Sequence, residues 1–207
     1  ASSPEQHIHC RCCALQRARW ALGEGELEQL KQRAKYLELD KVRDFGEFHE
    51  KYLKAMKDSG MMDLSEAEQD AISRYIGSES YPLNEKLRNG ESLTKQEQEW
   101  VKNLDSALDK LPSYQGTVYR SVSELGIDDV DAFVKAIPVG EIVSSPAYTS
   151  SGTEVYDASF PIQYVIQAKN GKDLRFYNPE EAEILFGRNT YFRITKIEGH
   201  TIYMEEI

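Results

Sequence analysis

The chain is short of several things that usually identify a protein. Its 207 residues hold three cysteines, all within "HIHCRCC" at residues 7–13, so no disulfide framework supports the rest of the fold. No apolar run approaches the roughly 20 residues that a membrane-spanning helix needs. Neither G-x-G-x-x-G nor G-x-x-x-x-G-K-[ST] occurs, which excludes nucleotide binding in the Rossmann or P-loop manner. Positive charge is scarce where the chain is longest. Residues 1–62 carry 11 Lys+Arg and 10 Asp+Glu of totals of 25 and 35, leaving 14 against 25 for residues 63–207. Such an acidic stretch does not bind nucleic acid through its overall field, so an anionic ligand there must be held by a few placed arginines. No secretory signal is visible, and the chain begins with Ala rather than Met, as a processed product or excised fragment would.

What is present divides near "SGMMD". Residues 1–62 read as a helical arm with a His/Cys-rich start. Leu27, Leu30, Ala34 and Leu37 recur at helical spacing, and a second segment carries Phe45, Phe48, Tyr52 and Met56 behind an Asp44/Glu47 capping pair. Stripes this narrow cannot form a core alone and must pack on the main domain or a partner. His7, His9, Cys10, Cys12 and Cys13 are zinc-capable, but too closely spaced for an ordinary finger. They read rather as a partly disordered end, or as half of a site completed by missing sequence.

Residues 63–207 open with helices. Ser65 with Glu68 and Thr94 with Glu97 are capping boxes, and Pro112 stops the second of these helices. The segment "YPLNEKLRNG" between them ends in a turn signal at Asn89-Gly90. Short aromatic and β-branched segments follow: "GTVYRSV", "GEIVSSPAYTSS", "FPIQYVIQA", "AEILF", "TYFRITKI" and "TIYME". A helical insertion around "DDVDAFVKAI" interrupts them, and "KNGK" predicts a hairpin turn. Helices first and strands afterwards indicate an α+β domain.

Three features in the strands carry chemistry. In "GTVYRSV", Arg120 shares a face with Val118 and Val122, and a guanidinium there needs a partner. That partner is either an internal carboxylate or a ligand phosphate or carboxylate. In "AYTSS", Tyr148 and Ser150 project from one face, where the serine could orient a carboxylate. In "NPEEAEILF", a strand over Ala182–Phe186 puts Glu181 and Glu183 on the same face, roughly 7 Å apart. They are either a solvated charge pair on an exposed edge, or two like charges that repel unless something cationic arrives between them.

In this order, "VYRSV", "AYTSS" and "RFYNPEEAEILF", preceded by "LNEKLRNG", resemble the mono-ADP-ribosyltransferases of the Arg–Ser–Glu class, which includes many bacterial toxins. The resemblance covers about residues 63–207 and implies two packed, mainly antiparallel sheets behind N-terminal helices. It implies NAD as substrate, no metal, and transfer of ADP-ribose to a target protein, with NAD glycohydrolysis as a side activity. Glu183 takes the catalytic carboxylate's place, Ser150 orients it, and Glu181 receives the acceptor, which the Glu-x-Glu form suggests is arginine. Arg120, with Arg88, Asn84 and Tyr75, would hold the dinucleotide. Arg88 reads also as a helix-end cation and Tyr75 as a core residue. Tyr177 either stacks on the acceptor guanidinium or packs its loop. The family's Ser-Thr-Ser strand reads Ser150-Ser151-Gly152 here. "HIHCRC" resembles the His-x-x-Cys-x-Cys ending of phage minor head proteins, which implies either a toxin delivered into a target cell or a virion-associated enzyme. Two other readings stand beside it: a non-catalytic interaction protein built on a degenerate transferase scaffold, and a glycosidase using the same carboxylate pair.

Overall fold

The computed structural model describes residues 24–123 and 127–207. The His/Cys-rich stretch at residues 7–13, with its zinc-capable side chains and phage-like ending, lies outside the described residues. Among the described residues α-helices come first: α1 (Glu24–Tyr36), α2 (Phe45–Asp58), α3 (Glu66–Tyr75), α4 (Ser80–Asn89) and α5 (Lys95–Lys110). Their starts are set locally. Ser65 and Thr94 accept from the backbone N–H of Glu68 and Glu97, whose carboxylates bond back to the cap N–H groups. Gly90 closes α4 in the left-handed conformation at φ 66°, which glycine adopts without a Cβ penalty.

Strands β1 (Ser113–Val122), β2 (Ile142–Ser144), β3 (Thr149–Gly152), β4 (Ile162–Asp173), β5 (Glu183–Phe186), β6 (Tyr191–Glu198) and β7 (Thr201–Glu206) follow, with α6 (Val130–Lys135) between β1 and β2. The order is β1-β3-β5-β4-β7-β6-β2, and β1 also pairs along β4. All pairings are antiparallel except β4–β7. Phe186 of β5 meets Phe192 of β6 edge-to-face at 4.9 Å although two strands separate them in the sheet. The β3–β5 portion therefore folds over the rest, giving two packed layers.

Alternation along β5 builds two cores. Ile184 and Phe186 enter the inter-sheet core with Val118, Ile162, Ile166 and Ile202. Leu185 faces the helices and joins Ile72, Trp100, Leu104 and Tyr148. Trp100 Nε1 donates to Ala71 O at 2.9 Å, so its burial leaves no donor unpaired. Leu37, Tyr52, Ala55, Met56 and Met61 pack on this helix-facing core. The segments before Ser65 thus pack on the helices that follow. On α1 Arg33 is buried, while Phe45 of the second predicted stripe stays 45% exposed.

The predicted hairpin at "KNGK" does not form: residues 169–172 lie inside the 12-residue β4. Pairing with β1 is irregular there, shifting between Tyr114 and Gly116. The freed N–H groups of Lys169 and Asn170 donate to the buried Glu206 carboxylate at 2.5 and 2.7 Å. Gly171 serves close packing here: a Cβ would lie 2.7 Å from Ile184 Cγ2 and 3.1 Å from Phe186 Cε1 of β5, which pairs with this end of β4.

Candidate active site

Register on β3 and β5 fixes the centre of the site. Ser150 pairs with Leu185 and Gly152 with Glu183, so Ser150 and Glu183 are diagonal neighbours on the helix-facing side. Ser150 Oγ donates to Glu183 Oε1 at 2.7 Å. Asn178 Nδ2 donates to the other oxygen of Glu183 at 2.9 Å and to Glu181 Oε2 at 3.2 Å. Glu183 is 3% exposed, and burial raises its pKa against the opposing pull of the Asn178 and Ser150 hydrogen bonds. Glu181 nearby raises it further, and Arg120 lowers it.

Glu181 reaches this position by another route than the predicted strand. β5 starts at Glu183, and Ala182 takes the left-handed conformation at φ 46°, which breaks the alternation. A turn closed by Ala182 N–H to Pro179 O and Glu183 N–H to Asn178 O replaces the pleat. The two carboxylates are neighbours because one amide bonds both. Glu181 is exposed and Glu183 buried, so solvent screens one charge of the pair.

Arg120 Nη1 donates to the carbonyl of Ser150 at 2.7 Å, tying β1 to the serine strand. Among the described residues it has no carboxylate within ion-pair distance, so the predicted internal salt bridge is not its partner. Burial lowers its pKa, and it sits in the field of Arg88 and Glu183. The third position of the serine motif is occupied by glycine for a steric reason. A Cβ on Gly152 would stand 2.7 Å from Glu181 O and 3.1 Å from Glu154 O, so a serine there would displace the carboxylate turn. Ser151 points away, donating to Ile184 O at 2.7 Å.

One cavity of about 390 Å³ collects most of the predicted residues: Glu183, Glu181, Ser150, Arg120, Arg88, Asn84 and Tyr75 all line it. Its size falls in the range of small-molecule sites. Asn84 braces the wall, donating to Tyr75 Oη at 3.0 Å and accepting from Tyr148 N–H at 3.2 Å. Tyr75 is both core and wall, 3% exposed with its hydroxyl pKa raised by burial. Arg88, in the last turn of α4, forms no ion pair among the described residues.

Tyr177 stands apart from this group. It is 4% exposed, packs edge-to-face on Phe176 at 5.5 Å, and lines a different cavity. This is the packing alternative of its two sequence readings; from there it does not face the cavity that Glu181 lines. Sequence reasoning missed Asn178, whose signal was an amide before a proline five positions ahead of Glu183. It also missed the support behind Tyr148, whose hydroxyl donates to Asp105 at 2.6 Å while Arg188 bonds that same carboxylate. Asp105 and Arg188 are 83 residues apart, beyond any local pattern.

The arrangement joins a buried, doubly hydrogen-bonded carboxylate to an exposed one, beside unpaired guanidinium groups. It can stabilise a cationic centre, bind a second cation and hold an anion in one space.

Known proteins share this framework. Exoenzyme S of Pseudomonas aeruginosa, solved with human 14-3-3 protein beta and carba-NAD, superposes with a TM-score of 0.59 at 22% identity, over 85% of this chain and 88% of that one. ADP-ribosyltransferase Vis, solved with agmatine, gives 0.55 at 24%, over 70% and 75%. In sequence, the Vis protein of Vibrio splendidus is 28% identical over 153 residues, 63% of this chain and 59% of Vis. The NAD(+)–protein-arginine ADP-ribosyltransferase Tre1 of Serratia proteamaculans is 28% identical over 151 residues, 69% of this chain. The chain spans only 32% of Tre1. The profile of the ADP-ribosyltransferase exoenzyme family matches residues 42–205, beginning just before α2 and ending in β7, and the chain belongs to that family.

Proposed function

We propose that this protein is an NAD-dependent mono-ADP-ribosyltransferase that modifies arginine on a target protein and slowly hydrolyses NAD when no acceptor is present. The observation that carries this reading is the Ser150–Glu183–Asn178 hydrogen-bonded group opening on the cavity that Arg120 and Arg88 also line.

The chemistry follows from the charges. Arg120 and Arg88 hold the diphosphate of NAD as paired guanidinium forks. The bond between nicotinamide nitrogen and ribose C1′ breaks with its electrons leaving on nicotinamide. Glu183, fixed in rotamer by Ser150 and Asn178, stabilises the oxocarbenium-like sugar that remains. Glu181, exposed at the mouth, attracts the acceptor guanidinium and takes the proton released as an acceptor nitrogen bonds to C1′. In hydrolysis, water takes the acceptor's place. A cationic transition state and a cationic acceptor thus meet where two negative charges already stand.

The relatives support the acceptor class: Tre1 is named for protein arginine, and agmatine, a guanidinium compound, occupies solved Vis. Delivery into a target cell accords with an exoenzyme family and with exoenzyme S in complex with a human protein. A glycosidase is disfavoured, because its carboxylates flank the scissile bond from opposite sides. Here both bond a single amide from one turn. The test is a pair of variants. Glu183→Gln should abolish NAD cleavage and agmatine modification together, and undiminished cleavage would defeat the proposal. Glu181→Gln should lower agmatine modification far more than hydrolysis.

A further inference from the structure

A second cavity, of about 490 Å³, lies beside the first and shares Gly77 and Ser78 with it as a common wall. Arg33 of α1 and Tyr177 line it from opposite ends of the sequence. Arg33 is 9% exposed, and only its Nε is bonded, to Phe176 O at 2.8 Å. Its guanidinium lies 4.3 Å from the Phe176 ring centroid. The terminal nitrogens have no acceptor among the described residues. A nearly buried cation left unpaired at a cavity is costly unless something pairs with it. The other arginine there, Arg74, is already neutralised by Glu79 at 2.8 Å. Beneath Arg33 the Tyr177 hydroxyl is also unsatisfied. Ser59 lies near it, but gives its proton to Met56 O.

The unpaired charge is single and planar. Stacking and the Nε bond hold the fork rigid, which suits a carboxylate bound through two nitrogens. Glu79 in the same wall disfavours a second negative charge, so a carboxylate fits better than a phosphate. The spacing links this cavity to the acceptor. Tyr177 of the second cavity and Glu181 of the first are four steps apart on one turn, at most about 14 Å. An extended polypeptide covers that in about four residues.

We propose that the second cavity is an acceptor subsite, in which Arg33 binds an acidic side chain within about four residues of the arginine being modified. This deepens the arginine-directed reading and rests on it. Acceptor choice would then depend on a flanking carboxylate as well as on the arginine itself.

The test compares two arginine peptides on the full chain, one carrying Glu three residues from the arginine and one carrying Gln there. The wild-type protein should show a KM about five- to tenfold lower for the Glu peptide with kcat unchanged, the range of a partly exposed charge-assisted pair. Arg33→Gln should bring the two KM values together while leaving NAD hydrolysis and agmatine modification intact, since agmatine has no carboxylate. Arg33→Lys should keep part of the preference, and Arg33→Glu should reverse it towards a peptide with Lys at that position. Were Arg33 only a clamp on its loop, Arg33→Gln would lower the melting temperature and leave the KM ratio unchanged, which overturns the proposal. Equal KM values in the wild type overturn it too. If neither peptide is modified, their inhibition constants against agmatine are compared, and equal constants are a negative answer. Absence of both NAD hydrolysis and agmatine modification would instead refute the underlying enzyme assignment.

Discussion

Asn178→Ala separates a positioning role from loop packing. The Asn178 amide donates to Glu183 at 2.9 Å and to Glu181 at 3.2 Å, and Glu183 is 3% exposed. A hydrogen bond to a charged group contributes about 1.5–3 kcal/mol, and the upper part of that range applies where water cannot replace the donor. The bond to exposed Glu181 contributes less, because solvent substitutes for it. If the Glu183 bond matters mainly in the transition state, about 1.5–3 kcal/mol corresponds to a roughly ten- to hundredfold fall in kcat/KM for NAD hydrolysis. Removing a donor that favours the ionised carboxylate also raises the Glu183 pKa further, so the acid limb of the pH–rate profile should move to higher pH. The assay is nicotinamide release from NAD across pH, with thermal melting as a folding control. A variant that folds normally and keeps its rate, or whose acid limb stays fixed or moves to lower pH, would refute the reasoning.

Two further predictions rest on the same geometry. Gly152→Ala brings a Cβ to 2.7 Å from Glu181 O, so the turn must shift; agmatine modification should fall by about tenfold or more, and hydrolysis less. Equal losses in the two assays would show that the displaced group is not acceptor-specific. Glu68 tests a structural carboxylate: its bonds to Lys110 at 2.7 Å and Ser106 at 2.6 Å lower its pKa from 4.5 to about 2. Because the folded-state value is depressed, the stabilisation is complete above the ordinary carboxylate value and disappears as pH falls from 4.5 through about 2. Melting curves should therefore show Glu68→Gln less stable than the wild type at pH 7, with the gap closing as acid is added.

The helix starts at Ser65 and Thr94 were legible because a capping box is satisfied within four residues, and nothing distant can change which N–H groups it covers. Alternation put Ser150 on the face of Tyr148 and Glu183 on the face of Leu185, and the β3–β5 register brings those two faces to the same side. The errors came where distant segments decide. Gly171 looks like a turn glycine, yet β5 pairs with this end of β4, so its missing side chain makes room for Ile184 and Phe186. Glu181 looks like a strand residue, yet its backbone fits against Gly152 in a turn that Asn178 closes.

The amino-acid order alone determined the α+β succession, the local caps and which side chains are candidates for the chemistry, since those follow from propensity, short-range hydrogen bonding and residue type. Only the tertiary structure decided that Arg188 and Asp105 meet behind Tyr148 and that Arg33 faces a cavity with no ion-pair partner among the described residues. Those outcomes depend on groups as much as 143 residues apart meeting in space, and no local pattern encodes such a meeting.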